Sequence, residues 1–187
     1  MRQENSADGL ARVHNNIGLC LLEKRIFDEA LENFKISLSL KQGLENDIGT
    51  ARTLSNIAHC YLELDQVDKS LENFQKAHEL KCNAYDGQIN EDIATSWQNY
   101  GQILLKAGNQ NKANFCFRIA LEIKENFNST DRSSKVVLMF LIGHTSDETS
   151  EKIEMFQNAL NIVTKLPQTH FLKDKIIYAL KKIKSQN

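Results

Sequence analysis

Hydrophobic residues recur along much of the chain at intervals of three and four positions, with polar and charged residues between them. This spacing places the apolar side chains on one face of an α-helix. The first two series are Ile17, Leu21 and Leu22, and then Phe27, Leu31, Phe34 and Leu38. The stretches EKRIF, ELDQV and KAGNQ interrupt successive series, and Asp28, Asp68 and Asn109 stand where a new helix would begin. The pattern predicts pairs of amphipathic helices joined by short turns.

These helix pairs repeat. The segment IGLCLLEKRIFDEALENF, from Ile17, returns from Ile57 as IAHCYLELDQVDKSLENF, and a third copy begins at Trp97. Small residues hold equivalent places in each copy: Gly18, Ala58 and Gly101, and then Ala30, Ser70 and Ala113. Phe34, Phe74 and Phe117 follow four residues later. We expect the small residues to lie where the two helices of a pair cross, with the phenylalanine filling the adjoining gap. Stacked pairs would then share one continuous core.

The repeated pattern resembles the tetratricopeptide repeat, W-x-x-L-G-x-x-Y followed by A-x-x-x-F. The third copy supplies Trp97, Tyr100, Gly101, Leu104, Ala113 and Phe117; the others supply Ile17, Gly18, Leu21, Ala30 and Phe34, and Ile57, Ala58, Tyr61, Ser70 and Phe74. The spacing of 40 and 43 residues exceeds the usual period, and the late proline is missing. In this the chain is similar to kinesin light chains and LGN-type spindle-orientation adaptors. The resemblance implies an all-α, right-handed solenoid of antiparallel helix hairpins that binds other proteins.

The pattern also predicts the boundaries of the units. Residues 1–9 are a leader or the end of a preceding repeat, and 10–127 hold three units at about 10–47, 48–89 and 90–127. Residues 128–166 form a degenerate fourth unit: NSTD precedes the apolar run VVLMFLI, Thr145 and Glu148 form a capping box, and Phe156 and Ala159 echo the repeat. Pro167 ends this unit, and residues 167–187 contain a capping helix from Phe171 to Ile183.

Asparagines mark the expected ligand face. Asn16, Asn56 and Asn99 each stand two residues before the small residue of the first helix, the helix that lines the concave groove in solenoids of this type. Asparagine is a poor residue for a helix interior. An amide that donates and accepts can bind the backbone of an extended peptide, so we predict peptide binding there. The alternative is that these amides hydrogen-bond neighbouring helices.

Other residues extend this predicted site. Arg12 and Arg52 precede Asn16 and Asn56 by one turn and would favour an acidic side chain or a carboxylate in the ligand. The remaining candidates are Asn15, Leu19, His59, Gln98 and Gln102. A clamp for the terminal carboxylate of a chaperone is not expected, because Thr95 stands where that clamp needs a basic residue.

Composition and motifs exclude several other classes. A net charge of −1 and aromatic residues at packing positions argue against nucleic-acid binding. The start MRQENSADG is unlike a signal peptide and the longest apolar run has seven residues, which predicts a cytoplasmic protein without membrane insertion. No HExxH, GxSxG or P-loop motif occurs, so we predict no enzyme, cofactor or metal. The four cysteines, Cys20, Cys60, Cys82 and Cys116, lack metal or disulfide spacing and are expected to be buried.

A structural role is the alternative function. The segment from Lys165 to Asn187 holds six lysines and one aspartate. This basic terminal helix, or the convex face of the repeats, would then dock in a large assembly. The segments FQNALNIVTKLP and IIYAL are similar to the end of the repeat region in outer-dynein-arm docking proteins, so this alternative includes cytoskeletal and ciliary complexes.

Overall fold

The structure is a computed structural model that describes residues 2–41, 47–86, 88–127, 130–166 and 170–185. In these ranges the chain forms nine α-helices and no strand. They are α1 (Arg2–Glu23), α2 (Phe27–Lys41), α3 (Asp47–Glu63), α4 (Val67–Ala84), α5 (Glu91–Lys106), α6 (Gln110–Asn126), α7 (Arg132–Thr145), α8 (Thr149–Val163) and α9 (His170–Lys184). They divide into two compact units, Met1–Gln88 and Ile89–Asn187.

The first unit contains two helix hairpins, α1–α2 and α3–α4, and α2 packs against α3. Helix α1 begins at Arg2, so residues 2–9, which were assigned to a leader or a preceding repeat, continue directly into the first helix. Ile57 and Cys60 of α3 form a buried cluster with Leu31 and Phe34 of α2. The predicted joining of hairpins into one core is therefore present between α2 and α3.

The turns between the paired helices share one backbone feature. Arg25, Asp65 and Gly108 stand at the same position of successive hairpins and have φ values of 61°, 61° and 78°. This left-handed conformation reverses the chain within three residues and lets the second helix begin at once. Asn109 then caps α6 by accepting a hydrogen bond from the Lys112 amide at 3.4 Å, as its position in the sequence predicts.

The crossing of each hairpin depends on a small residue facing a buried phenylalanine. A Cβ atom built on Gly18 would lie 2.6 Å from the Phe34 ring, and one on Gly101 would lie 2.5 Å from Phe117. Both rings are fully buried. The sequence prediction that a phenylalanine fills the space beside the small residue is confirmed.

The second unit contains the hairpins α5–α6 and α7–α8, with α9 packed on α8. A Cβ on Gly143 would lie 2.9 Å from the Phe156 ring, so α7 and α8 cross as the earlier hairpins do. The apolar run in α7 is buried at Val136, Leu138 and Ile142. The terminal helix is amphipathic as predicted, with Ile176 fully buried. Pro167, Asn128 and Ser129 lie outside the described residues.

The capping box predicted at Thr145 and Glu148 is wrong. Thr145 belongs to the last turn of α7, and its hydroxyl donates to the Leu141 carbonyl at 2.7 Å. The hydroxyl oxygen of Ser146 instead accepts the Glu148 amide at 3.1 Å and so orders the start of α8. Ser146 also donates to Glu151, and this bond, with the nearby Arg118, holds the pKa of Glu151 below its usual range.

The expected burial of the cysteines is also wrong in part. Cys60 and Cys116 are buried and Cys82 is half-buried, but Cys20 is exposed. Cys20 and Cys60 hold the same repeat position, so the difference comes from their surroundings. Helix α2 covers Cys60, whereas no described helix covers the equivalent face of α1. All four thiols are free.

Candidate functional site

A polar pocket of about 400 Å³ lies between α1, the end of α2 and the start of α3. Two charged residues of α1, two asparagines of the same helix, the last residue of α2 and three residues of α3 line it: Asp8, Arg12, Asn15, Asn16, Lys41, Ile48, Gly49 and Arg52. Three of these side chains are cationic and one is anionic. The pocket therefore favours a negatively charged group.

The two arginines come from equivalent positions of successive repeats. Arg12 on α1 and Arg52 on α3 are exposed, one turn before Asn16 and Asn56. Stacking of the repeats brings the two first helices side by side, which places Arg12 and Arg52 at the same pocket. A guanidinium group can bind a carboxylate through two parallel hydrogen bonds.

The asparagines have different environments. The Asn56 amide donates to the Asn15 side-chain oxygen at 3.2 Å. The Thr53 hydroxyl lies 3.4 Å from the same oxygen and 3.1 Å from the Gly49 carbonyl, so its one proton is shared between two acceptors. Asn15 therefore joins α1 to α3 through its oxygen, while its amide group keeps two N–H donors. Asn16 is exposed and lines the pocket. Asn56 thus hydrogen-bonds a neighbouring helix, which is the alternative role considered for these asparagines, whereas Asn16 faces solvent.

Lys41 is a pocket residue that the sequence analysis missed. It is only 6% exposed, and its ammonium group donates to the Gly49 carbonyl at 2.9 Å and to the Thr53 hydroxyl at 2.6 Å. Burial lowers the pKa of Lys41, the nearby Asp8 raises it, and Arg52 lowers it further. The carbonyl and hydroxyl partners compensate in part for the desolvation of the ammonium group.

A repeat signal could have identified this residue. Lys41, Lys81 and Lys124 occupy the same position in three copies, seven residues after the recurring phenylalanine of the repeat, and all three are buried. Each stands in the last turn of its helix, where a positive charge interacts favourably with the helix dipole. Lys124 in addition lies 3.7 Å from the Asp131 carboxylate. Regular recurrence of lysine on an otherwise apolar face was the available clue.

The remaining candidates lie elsewhere. Leu19 is 37% exposed, one turn beyond Asn15 on α1. His59 is exposed on α3, with its imidazole 3.9 Å from the Glu63 carboxylate. Gln98 and Asn99 are half-buried, and Gln102 is exposed, on α5 of the second unit. The structure thus brings Arg12, Asn15, Asn16 and Arg52 together in the first unit.

The described residues also bear on metal sites and membrane spans. Among the described residues, no three side chains of histidine, cysteine, aspartate or glutamate are grouped so that they could hold a metal ion. Helices within those same ranges include none that is long and apolar enough to cross a membrane.

Comparison with known families identifies the repeat. A tetratricopeptide repeat profile matches residues 9–83 and 50–126, which together span more than half of the 187-residue chain. The chain belongs to the tetratricopeptide repeat family. Tetratricopeptide repeat proteins are in general non-enzymatic scaffolds that bind other proteins. A search of curated protein sequences found no significant match.

Solved structures agree with this assignment. BtubC (BKLC) from P. vanneervenii is 15% identical, with 97% of this chain and 82% of that chain covered and a TM-score of 0.78. A kinesin light chain of TPR-like repeats from Podosopora anserina is 12% identical, with 92% and 84% covered and a TM-score of 0.75. A Rap protein complexed with Competence and Sporulation Factor is 16% identical with a TM-score of 0.69; the alignment covers 91% of this chain but only 47% of the Rap chain. The predicted all-α tetratricopeptide solenoid class is confirmed.

Proposed function

We propose that the protein is an adaptor that captures an extended, acidic segment of a partner protein, and that the polar pocket of the first unit binds an acidic side chain of that segment. The observation that carries this proposal is that Arg12, Arg52 and Lys41 line one pocket, in which Asp8 is the single carboxylate. A negatively charged ligand group would gain charge-assisted hydrogen bonds from the guanidinium groups.

The asparagines provide the second part of the mechanism. Asn16 is exposed at the pocket and carries both a donor and an acceptor, which is the combination that a peptide bond requires. Asn15 is held by Thr53 and Asn56, so its free N–H groups are pre-oriented by the scaffold. Leu19 and His59 extend the contacts of the first unit. The second unit, taken by itself, offers the amides of Asn99, Gln98 and Gln102 on α5. Pre-oriented amides limit the entropy lost when a flexible peptide binds.

An array of extended nonapeptides tests the proposal directly. Each peptide carries a central Asp or Glu and has a partner peptide in which that residue is Asn or Gln. The wild-type chain is expected to prefer the acidic member, and Arg12→Ala/Arg52→Ala is expected to lower that preference at least tenfold. Lys35→Ala/Lys112→Ala is the matched control, because it removes the same charge from exposed positions away from the pocket.

Two results would contradict this function. The first is an equal affinity of the wild-type chain for acidic and amide peptides. The second is an equal loss in the pocket variant and the control, which would assign the preference to overall charge. Circular dichroism of each variant shows whether the helices are intact. The variant Asn16→Ala, tested on the same array, should bind acidic and amide peptides more weakly to the same extent, because the Asn16 side chain is proposed to contact the peptide backbone.

The structural alternative has one observation in its favour. Helix α9 exposes Tyr178, which is 70% accessible, together with Lys175, Lys181 and Lys182. An aromatic side chain among lysines suits an acidic protein surface. If a partner found for the chain is lost with Tyr178→Ala/Lys181→Glu and retained with Arg12→Ala/Arg52→Ala, docking through α9 replaces pocket capture as its function.

A further inference from the structure

A second surface lies on the opposite side of α1 from the hairpin core. Leu10, Val13, Ile17 and Cys20 follow one another at spacings of three and four, and we term them the α1 apolar face. Leu10, Val13 and Ile17 are 49%, 52% and 43% exposed, and Cys20 is exposed as well. A shallow depression of about 460 Å³ runs along this face between Val13 and Lys24. Four neighbouring apolar side chains in water on one helix indicate a surface that a partner covers.

The repeat itself shows what fits such a face. The residues of α3 that are equivalent to Val13, Ile17 and Cys20, forty positions later, are Thr53, Ile57 and Cys60. These three are 0%, 3% and 0% exposed, because α2 lies against them. In that contact Leu31 lies in one buried cluster with Ile57 and Cys60, and Leu38, seven residues later, packs against the same cluster. The same face is thus buried once in this chain, by a helix with leucines seven residues apart.

We infer that the α1 apolar face binds an amphipathic helix of a partner protein, which carries two leucine-sized side chains seven residues apart and packs on α1 as α2 packs on α3. A second copy of the chain could not supply α2 or α6 as this helix, because they are already covered by α3 and α7. The experiment below distinguishes a second copy from a partner helix. The surface adjoins the polar pocket, because Asn16 lines both, but it offers apolar contact where the pocket offers charge.

A stapled peptide with the sequence Phe27–Lys41 serves as the probe for this helix. A staple between positions 32 and 36 joins residues that are exposed in α2 and keeps a short helix folded in water. A control peptide carries Leu31→Asp and Leu38→Asp. Binding is measured by fluorescence anisotropy of the labelled peptide, and its location by the alkylation rate of Cys20.

Cys20 reports specifically on this face. It is the exposed thiol, whereas burial raises the pKa of Cys60 and of Cys116 to about 11 and raises that of Cys82. The thiolate is the reactive form, so Cys20 is expected to react first with iodoacetamide. The peptide should bind saturably and slow Cys20 alkylation at least fivefold. The control peptide and the variant Val13→Glu/Ile17→Glu should show neither effect.

The control variant is Ile36→Glu/Phe115→Glu, which adds the same charges at exposed apolar side chains on other helices and should keep the binding. Three outcomes would overturn the inference. The peptide fails to bind at millimolar concentration; it binds equally to Val13→Glu/Ile17→Glu and leaves Cys20 reactive; or Cys20 becomes protected in the chain alone as sedimentation shows the mass doubling. The last result would assign the face to a second copy.

Discussion

At the scale of single residues, the first two hairpin turns each contain a non-glycine residue in an unfavourable backbone conformation. Arg25 and Asp65 adopt the left-handed conformation that Gly108 adopts in the third hairpin. For a residue with a Cβ atom this conformation costs roughly 1–2 kcal/mol, less for aspartate than for most others. Arg25 has compensating contacts, because its guanidinium lies 3.7 Å from Glu63 and 5.5 Å from the centre of the Phe27 ring. Asp65 is exposed and has the same backbone conformation, and it is the position at which we test this cost.

Asp65→Gly is expected to raise the free energy of unfolding by about 0.5–1 kcal/mol, because glycine adopts this conformation without steric cost. The corresponding rise in Tm for a chain of this size is about 1–4 °C. Thermal unfolding followed by circular dichroism measures it. Asp65→Ala keeps the Cβ atom and should give no gain; if it stabilises the chain as much as glycine does, the left-handed backbone is not the cause.

The pocket shows how far single residues could be predicted. Arg12, Asn15, Asn16 and Arg52 were expected on one face from their repeat positions, and the structure places all four at one pocket. Lys41 and Asp8 were missed because they come from the end of one helix and an early turn of another, outside the repeat positions that were compared. Only the packing of α2 on α3 brings Lys41 to Gly49 and Thr53. The recurrence of Lys41 as Lys81 and Lys124 marks a buried position in the repeat, but it does not show which pocket that position joins.

At the scale of the helix hairpin, the glycines of α1 provide a matched pair. A Cβ on Gly18 would lie 2.6 Å from the buried Phe34 ring, whereas a Cβ on Gly9 would meet nothing within 4 Å. Gly18→Ala is expected to lower the free energy of unfolding by about 1–2 kcal/mol, since overpacking exceeds the gain in helix propensity. Gly9→Ala should raise it by up to about 1 kcal/mol, because only the propensity changes.

Urea denaturation of both variants measures these changes, with an unchanged m-value as the sign that the same unfolding is compared. Ala58 stands at the equivalent position of the second hairpin, where Phe74 is also buried. A hairpin can therefore accommodate a methyl group here when the spacing of its two helices allows it. If Gly18→Ala is as stable as Gly9→Ala, the first hairpin can make the same adjustment and the close contact does not limit it.

The fourth hairpin shows why sequence comparison weakens at this scale. Phe156 and Ala159 were recognised as repeat residues, and both are buried. Their partner Gly143 was missed, because it precedes Phe156 by 13 residues where Gly18 precedes Phe34 by 16. The turn between α7 and α8 is built differently, with Ser146 in place of a left-handed residue. A change of turn shifts the register of the sequence pattern while the helix crossing remains.

At the scale of the whole molecule, helices contact mainly their neighbours along the chain. Within the second unit α5 packs on α6, α6 on α7, α7 on α8 and α8 on α9. In such an arrangement stability is close to a sum of local terms and contacts between neighbours. The overall class could be predicted from the sequence because the first three hairpins repeat one local pattern. The surfaces that remain exposed could not, since Cys20 and Cys60 share one pattern and differ only in what covers them.

The terminal helix tests this neighbour-by-neighbour stability. Ile176 on α9 is fully buried, so Ile176→Ala leaves a cavity and is expected to lower the free energy of unfolding by about 2–4 kcal/mol. Because α9 packs on α8, hydrogen exchange measured by mass spectrometry should speed up most in α9 and α8 and least in α5 and α6. Tyr178→Ala on the same helix is the control: Tyr178 is 70% exposed, so its loss should change exchange little. A uniform increase of exchange across the second unit would show that its hairpins unfold as one cooperative body, and the additive description would then fail for this protein.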